Sequence, residues 1–382
     1  MSGNEHIAPA VKLFEGLFQE KDSASVHPVL KALLEELNAR QGSDLHLQVS
    51  EPPVIRVDGR LERLDRPPLS EEDVVEMVGS IMNDQQRDHF KKELELDLSY
   101  EVHGMARFRV NVFKQRARTG VAFRLIPLKV ATVDDLALPQ ILKKLATQPR
   151  GFVLITGPTG SGKSTTLAAM IEHINQTTRK HIITIEDPIE FSFTDNQSII
   201  QQREVEVDTV SFAEALRHIM RATPDVIMVG ELRDLETISL ALSAAEMGSL
   251  VIATLHTRTA YQTVDRIIDV FPSEQQQQVR LQLATGLSAV LSQTLLPLAQ
   301  GKGRIAAFEI MLCNAAIRNA IREGKPQQIP SLIQANAQSG MKLMDNALAD
   351  LVRQKKAKYE DAYYKTADPK RFEELAGFYK GM

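Results

Sequence analysis

The chain has 382 residues, a formal net charge of −4 and 25% charged residues. That length holds two or three domains with a sizeable core, and the balanced charge gives no basic footprint for nucleic acid. The single cysteine, Cys313, excludes a disulfide framework and any four-cysteine zinc site within the chain and fits a reducing compartment; no apolar run reaches signal-peptide or membrane-span length.

Residues 1 to about 27 read as an extension with one amphipathic piece, Val11, Leu13, Phe14, Leu17 and Phe18, a short docking helix or a loose tail. Leu30, Leu33, Leu34 and Leu37 share one helical face and open the first domain. From Asp44 the period changes to two, with Leu45, Leu47 and Val49 opposite His46 and Gln48. Asp58-Gly59 sets a hairpin between strands at Val54–Val57 and Leu61–Leu64. Ser70 with Asp73 makes a capping box for a helix whose apolar face is Val74, Val75, Met77, Val78 and Ile81. Leu94, Leu96, Leu98, Tyr100 and Val102 alternate as a half-buried strand; Phe108, Val110 and Val112 mark another, and Val121, Phe123 and Leu125 a third. Arg107, Arg109 and Asn111 face away from the apolar side, and Arg124 does so on the next strand. They read either as a solvated sheet face or as arginines presented to phosphates, those of a neighbouring subunit included. Residues 28–130 thus form a small α+β domain.

Residues 131–145 are a linker and lead-in helix to an α/β core at 146–312, followed by a helical region at 313–382. Four continuous apolar runs predict strands buried on both faces of a parallel sheet: Phe152–Thr156, Ile182–Ile185, Val226–Val229 and Leu250–Leu255. The first ends in Gly157-Pro158-Thr159-Gly160-Ser161-Gly162-Lys163-Ser164-Thr165, which fits the phosphate-binding pattern Gly-x4-Gly-Lys-Ser/Thr between a strand and a helix. Its glycines let backbone N–H groups close on phosphates, Lys163 reaches the outer phosphates, and the Ser164 hydroxyl holds Mg²⁺. The other runs end in Glu186-Asp187-Pro188-Ile189-Glu190, Gly230-Glu231 and His256. Ligands of open α/β sheets sit beyond the strands' carboxyl ends, so all four ends point at one nucleotide site. Glu231 is assigned to Mg²⁺ or its water shell. Glu190 orients the attacking water, with Glu186 the second choice. His256 either senses the γ-phosphate or packs at a loop start. The spacing of Val279, Leu283, Leu287, Val290 and Leu291 continues a helix to Pro297, after which Ile305–Ile310 is a strand.

These motifs resemble the bacterial type IV pilus retraction ATPases of the PilT/PilU group, within the secretion ATPase superfamily, over about residues 29–355. The phosphate loop at 157–166, the aspartate box at 185–191, the glutamate-type Walker B segment at 224–231, the histidine box at 248–257 and Ala316–Glu323, reading AIRNAIRE, all match. The resemblance implies a PAS-like domain before a RecA-like P-loop ATPase domain, ATP and Mg²⁺ as ligands, and a homo-hexameric ring. It implies a cytoplasmic motor, peripheral to the inner membrane at the pilus base, with a membrane platform protein as partner and a paralogous retraction ATPase as a further one. It implies catalytic roles for Glu190, Glu231 and His256, and phosphate contacts from Arg109 and Arg124. Ser249 stands where the family has a histidine, and Ala222-Thr223 where it has an acidic pair. The leading reading is a hexameric ATPase motor powering pilus retraction; these departures leave open an accessory, weakly hydrolysing retraction ATPase docking on a principal motor. A nucleic-acid translocase is the third reading, and the balanced charge opposes it.

Overall fold

The computed structural model describes residues 26–377, apart from 58, 103, 127–129 and 302; the amphipathic piece of the extension and Asp58 of the hairpin turn lie outside the described residues. The chain divides into two units, Met1–Leu128 and Lys129–Met382.

In the first unit the leucine face forms α1 (Pro28–Ala39), with all four leucines buried. The strands are β1 (Asp44–Gln48), β2 (Val54–Val57), β3 (Arg60–Arg63), β4 (Glu95–Val102), β5 (Ala106–Gln115) and β6 (Arg118–Ile126), with α2 (Glu71–Ile81) and α3 (Asp84–Glu93) before β4. They form one antiparallel sheet in the order β3-β2-β1-β6-β5-β4. Alternation puts Leu45, Leu47, Phe108, Val110, Val121 and Phe123 on one face, against the leucines of α1 and Val74, Met77 and Val78 of α2. The Ser70–Asp73 capping box starts α2 as expected.

Two expectations need correction here. Val75 is 48% exposed, not core. Leu94 is not strand: it caps α3 in the left-handed region at φ 65. Helix α3 itself was not foreseen, because it buries no residue and so shows no apolar stripe; its Asn83/Gln86 capping box was the available signal.

The second unit opens with α4 (Ile141–Ala146) and then alternates: β7 (Gly151–Thr156), α5 (Lys163–Thr177), β8 (His181–Glu186), β9 (Ile199–Glu204), α6 (Phe212–Ile219), β10 (Val226–Val229), α7 (Leu235–Glu246), β11 (Leu250–Leu255), α8 (Ala260–Asp269), α9 (Ser273–Gly286), β12 (Leu287–Pro297) and β13 (Arg304–Leu312). The sheet order is β13-β12-β7-β11-β10-β8-β9, and every neighbouring pair is parallel except β12 with β13. All four expected strands are present and fully or almost fully buried. Two apolar clusters, one on each face, fill the layers between the sheet and its helices. The expected helix through Val290 and Leu291 is not there: the chain leaves α9 at Gly286 and runs as β12 beside β7. A strand covered on both faces loses its alternation, so leucines and valines continuing from a helix keep the look of one.

Helices complete the chain: α10 (Ala315–Arg322), α11 (Ile329–Ala335), α12 (Met344–Arg353), α13 (Tyr359–Tyr363) and α14 (Pro369–Ala376). Ile317, Ala320 and Ile321 of α10 pack inward. The Arg318 guanidinium donates to the carbonyls of Cys313 at 3.0 Å and of Ala284 and Thr285 at 2.6 Å each, closing the C-terminus of α9. Buried Phe372 anchors α14 against Tyr359 and Tyr363.

Candidate nucleotide site

The carboxyl ends of β7, β8, β10 and β11 lie on one edge of the second sheet, because these strands are parallel. The phosphate-binding loop leaves β7 and enters α5 at Lys163, with Gly162 at the helix N-cap in the left-handed region, φ 88. Gly157, φ 147, must be glycine: a Cβ there would stand 2.3 Å from the carbonyl oxygen of Gln293 and 2.6 Å from Ser161 Oγ. A Cβ on Gly162 would come within 2.8 Å of Gln293 Nε2. The loop is thus seated on β12. Thr166 Oγ1 donates to Gln293 Oε1 at 2.8 Å, and Thr156 and Ser292 share a hydroxyl hydrogen bond at 2.8 Å. Gln293 is a site residue that sequence reading missed, since its strand was taken for helix.

Thr159 and Gly160 are exposed at the loop's tip, and Ser164 and Thr165 are partly exposed in the first turn of α5. Ser161 is 3% exposed, and its hydroxyl has no hydrogen-bond partner. Lys163 Nζ folds back on the loop, donating to Gly157 O at 2.9 Å and Pro158 O at 3.3 Å, and lies 3.4 Å from His256 Nδ1. Burial lowers its pKa, and the charges of Glu231 and Glu190 act the other way. An orphaned hydroxyl, a buried ammonium and a helix N-terminus on one loop suit a polyanion, and the residues fit a nucleotide's phosphates.

The acids beyond the other strands hold distinct positions. Glu231 links His256 and Arg233: His256 Nε2 lies 2.8 Å from Glu231 Oε1, and Arg233 Nε donates to Glu231 Oε2 at 3.0 Å. Arg233 Nη1 also donates to Asp187 Oδ2 at 3.1 Å, so one guanidinium joins the ends of β10 and β8. Arg233 was not singled out by sequence; 46 residues separate it from Asp187. Glu186 is buried at 6% exposure and accepts from Thr184 Oγ1 at 2.7 Å and Gln202 Nε2 at 3.0 Å. Burial raises its pKa, with those hydrogen bonds pulling down. Glu190 is exposed on the loop beyond it. Ser249 lies at the opposite edge of the sheet, at the entry of β11, where its hydroxyl donates to Pro224 O at 2.9 Å. The strand Leu250–Leu255 separates it from His256, roughly 20 Å at strand rise. It is therefore not a phosphate contact within its own subunit.

Arg109 and Arg124 belong to the first unit. They are direct cross-strand partners on its polar face, and both are exposed. Arg124 Nε donates to Asp44 Oδ1 at 3.0 Å, and Arg56 Nε lies 3.2 Å from Asp44 Oδ2. Burial opposes ionisation of Asp44, but the Ser43 hydroxyl and Arg124 hold its carboxyl below the usual range.

The sequence profile described as type II/IV secretion system protein matches residues 19–363. A type IV pilus retraction ATPase, PilT, of Pseudomonas aeruginosa is 51% identical over 336 residues, covering 88% of this chain and 97% of that protein. The type IV pilus ATPase PilU of the same organism is 42% identical over 330 residues, covering 86% of each. Among solved structures, a crystal structure of the pilus retraction motor PilT with bound ADP superposes with a TM-score of 0.85 at 46% identity, covering 91% of this chain and 99% of that one.

Proposed function

The chain belongs to the type II/IV secretion system protein family, and from that premise we propose that it is the ATPase motor that retracts type IV pili and drives twitching motility. Its architecture is a RecA-like P-loop ATPase unit behind a PAS-like α+β unit, with a helical C-terminal region. The observation that carries the reading is the shared edge of β7, β8, β10 and β11, where a phosphate cradle, two acids and a histidine converge. The greater identity to PilT than to PilU, over most of both chains, favours the principal motor. Ser249 lies far from the cradle of its own subunit, which weakens the case for an accessory ATPase built on a lost phosphate contact there.

ATP is the substrate. Backbone N–H groups of Thr159 to Thr165 and the α5 N-terminus bind its phosphates, and Lys163 exchanges the loop carbonyls for phosphate oxygens. Among the described residues no cluster of three His, Cys, Asp or Glu side chains is poised to hold a metal unaided. A cation here takes most ligands from water and phosphate, with the Ser164 hydroxyl and Glu231 as the protein's share, which suits Mg²⁺. Bound, Mg²⁺ neutralises charge developing on the phosphates. Glu190 is the exposed carboxylate able to orient water, whereas Glu186 is engaged inward. His256 passes from Lys163 and Glu231 to the γ-phosphate. Arg109 and Arg124 supply positive charge to the site of a neighbouring subunit in a homo-hexamer. The motor works in the cytoplasm against an inner-membrane platform protein, with a paralogous retraction ATPase as a further partner.

The test is Mg²⁺-dependent ATP hydrolysis by the purified chain across protein concentration. Specific activity should rise with concentration as sites complete on assembly. Glu190→Gln should keep ATP binding and lose turnover by about 10²- to 10⁴-fold, the range for a positioned general base. Near-normal turnover in that variant would remove Glu190 from its role.

A further inference from the structure

A groove of about 490 Å³ lies on the first unit, floored by Val78 and Met82 and flanked by Val75, Phe90 and Leu94. Its floor is dry, with Val78 at 3% and Met82 at 2% exposure, yet Val75 and Leu94 at its edges are 48% and 51% exposed. Helix α3 crosses it without burying a single side chain. Such an apolar trough on a polar surface is a contact face that lacks its partner.

We propose that the chain's own amphipathic stretch, Val11 to Phe18, docks in this groove. The described chain begins beside it. Val26 packs on the core of this unit, and the backbone N–H of His27 donates to Ser80 Oγ at 3.1 Å. Ser80 follows Gly79, which lines the groove on the same helix, α2. The eight steps from Phe18 to Val26 span at most about 29 Å when extended, ample to turn back over α2. Phe14, Leu17 and Phe18 stand at i, i+3 and i+4, the spacing with which an amphipathic helix fills an apolar trough. Charge is compatible: the stretch carries Lys12 and Glu15, with Glu20, Lys21 and Asp22 following it, and Arg87, Lys91 and Lys114 rim the groove. Arg87 and Lys91 now pair with Asp84 and Asp88 on exposed α3, and exposed pairs of that kind re-partner at little cost. A second copy's segment or a separate protein are the competing occupants, and the tether beside the groove favours the chain's own.

Cross-linking decides between them. An added Cβ at Gly79 meets nothing within 4 Å, so Gly79→Cys projects into open groove. Burial pushes the native Cys313 thiol up to about 12, leaving it too little thiolate to compete at neutral pH. The full chain with Leu13→Cys and Gly79→Cys, treated with a short bismaleimide, should give a cross-link within one chain, lost when Phe14→Asp and Leu17→Asp are added. Cross-links between chains at high dilution would overturn the proposal in favour of exchange between copies. In parallel, deleting residues 1–25 should speed hydrogen exchange of the Val78 to Met82 amides by about tenfold, with ATP hydrolysis reporting that the rest stays folded. Unchanged exchange with no cross-link would overturn it outright.

Discussion

At the scale of single residues, Lys163, His256, Glu231, Arg233 and Asp187 contact one another in a line across the candidate site. If Lys163 and His256 turn to phosphate as proposed, Arg233 can still hold Glu231 and Asp187 in register. Arg233→Ala should therefore lower kcat by about 10- to 100-fold with ATP affinity little changed, the pattern of lost positioning in the transition state. Weakened ATP affinity with kcat unchanged would make Arg233 a binding residue instead. Glu186 yields a prediction about stability. Burial raises its folded-state pKa, so the unfolded state loses its proton first as pH rises. The protonated carboxyl's contribution is complete below the ordinary glutamate range and is lost as pH climbs through the raised value. Glu186→Gln keeps an oxygen to accept from Thr184 and Gln202 and removes the cost of a buried charge. It should melt at higher temperature than the parent at pH 8, with the difference shrinking towards pH 4. A difference that grows on acidification would show that the buried carboxylate is stabilising.

At the scale of elements, β12 is where sequence and structure part. It brings Gln293 under the phosphate loop, 127 residues from its partner Thr166. Gln293→Leu strands the Thr166 hydroxyl and should cost about 1–3 kcal/mol of stability, the penalty of an unsatisfied buried polar group, read from denaturant midpoints. A loss below half of that would show that the loop finds another partner. The strands β7, β8, β10 and β11 were legible because burial on both faces needs unbroken apolar runs bounded by polar ends, and those ends are the site. The same physics hid β12, whose apolar run continues from a helix without a break. Strand β9, IIQQRE, was missed because an edge strand with polar neighbours carries no clear period. Arg233 and Gln293 were invisible for a different reason: each owes its role to a contact made only after folding.

At the scale of the whole molecule, the phosphate loop and the arginine pair Arg109/Arg124 reside in different units. Removing Arg124 should leave the fold intact, since Asp44 keeps Arg56 at 3.2 Å and does not become an unpaired buried charge. Arg124→Ala and Lys163→Ala should each lack turnover alone. If the arginine acts on a neighbour's site, mixing the two variants creates interfaces in which an intact Lys163 from one chain meets an intact Arg124 from the other. In a ring closed by heterologous contacts, random one-to-one mixing makes about a quarter of the interfaces of this kind. Activity should then return to a fraction of the parent's, following the product of the two mole fractions and peaking at equal mixture. If Arg124 serves the phosphate loop of its own chain, every site carries one defect, and no ratio restores activity. Flat, absent turnover in rings shown by mass to be mixed would place the arginines in cis and reduce the ring to a scaffold for six independent sites.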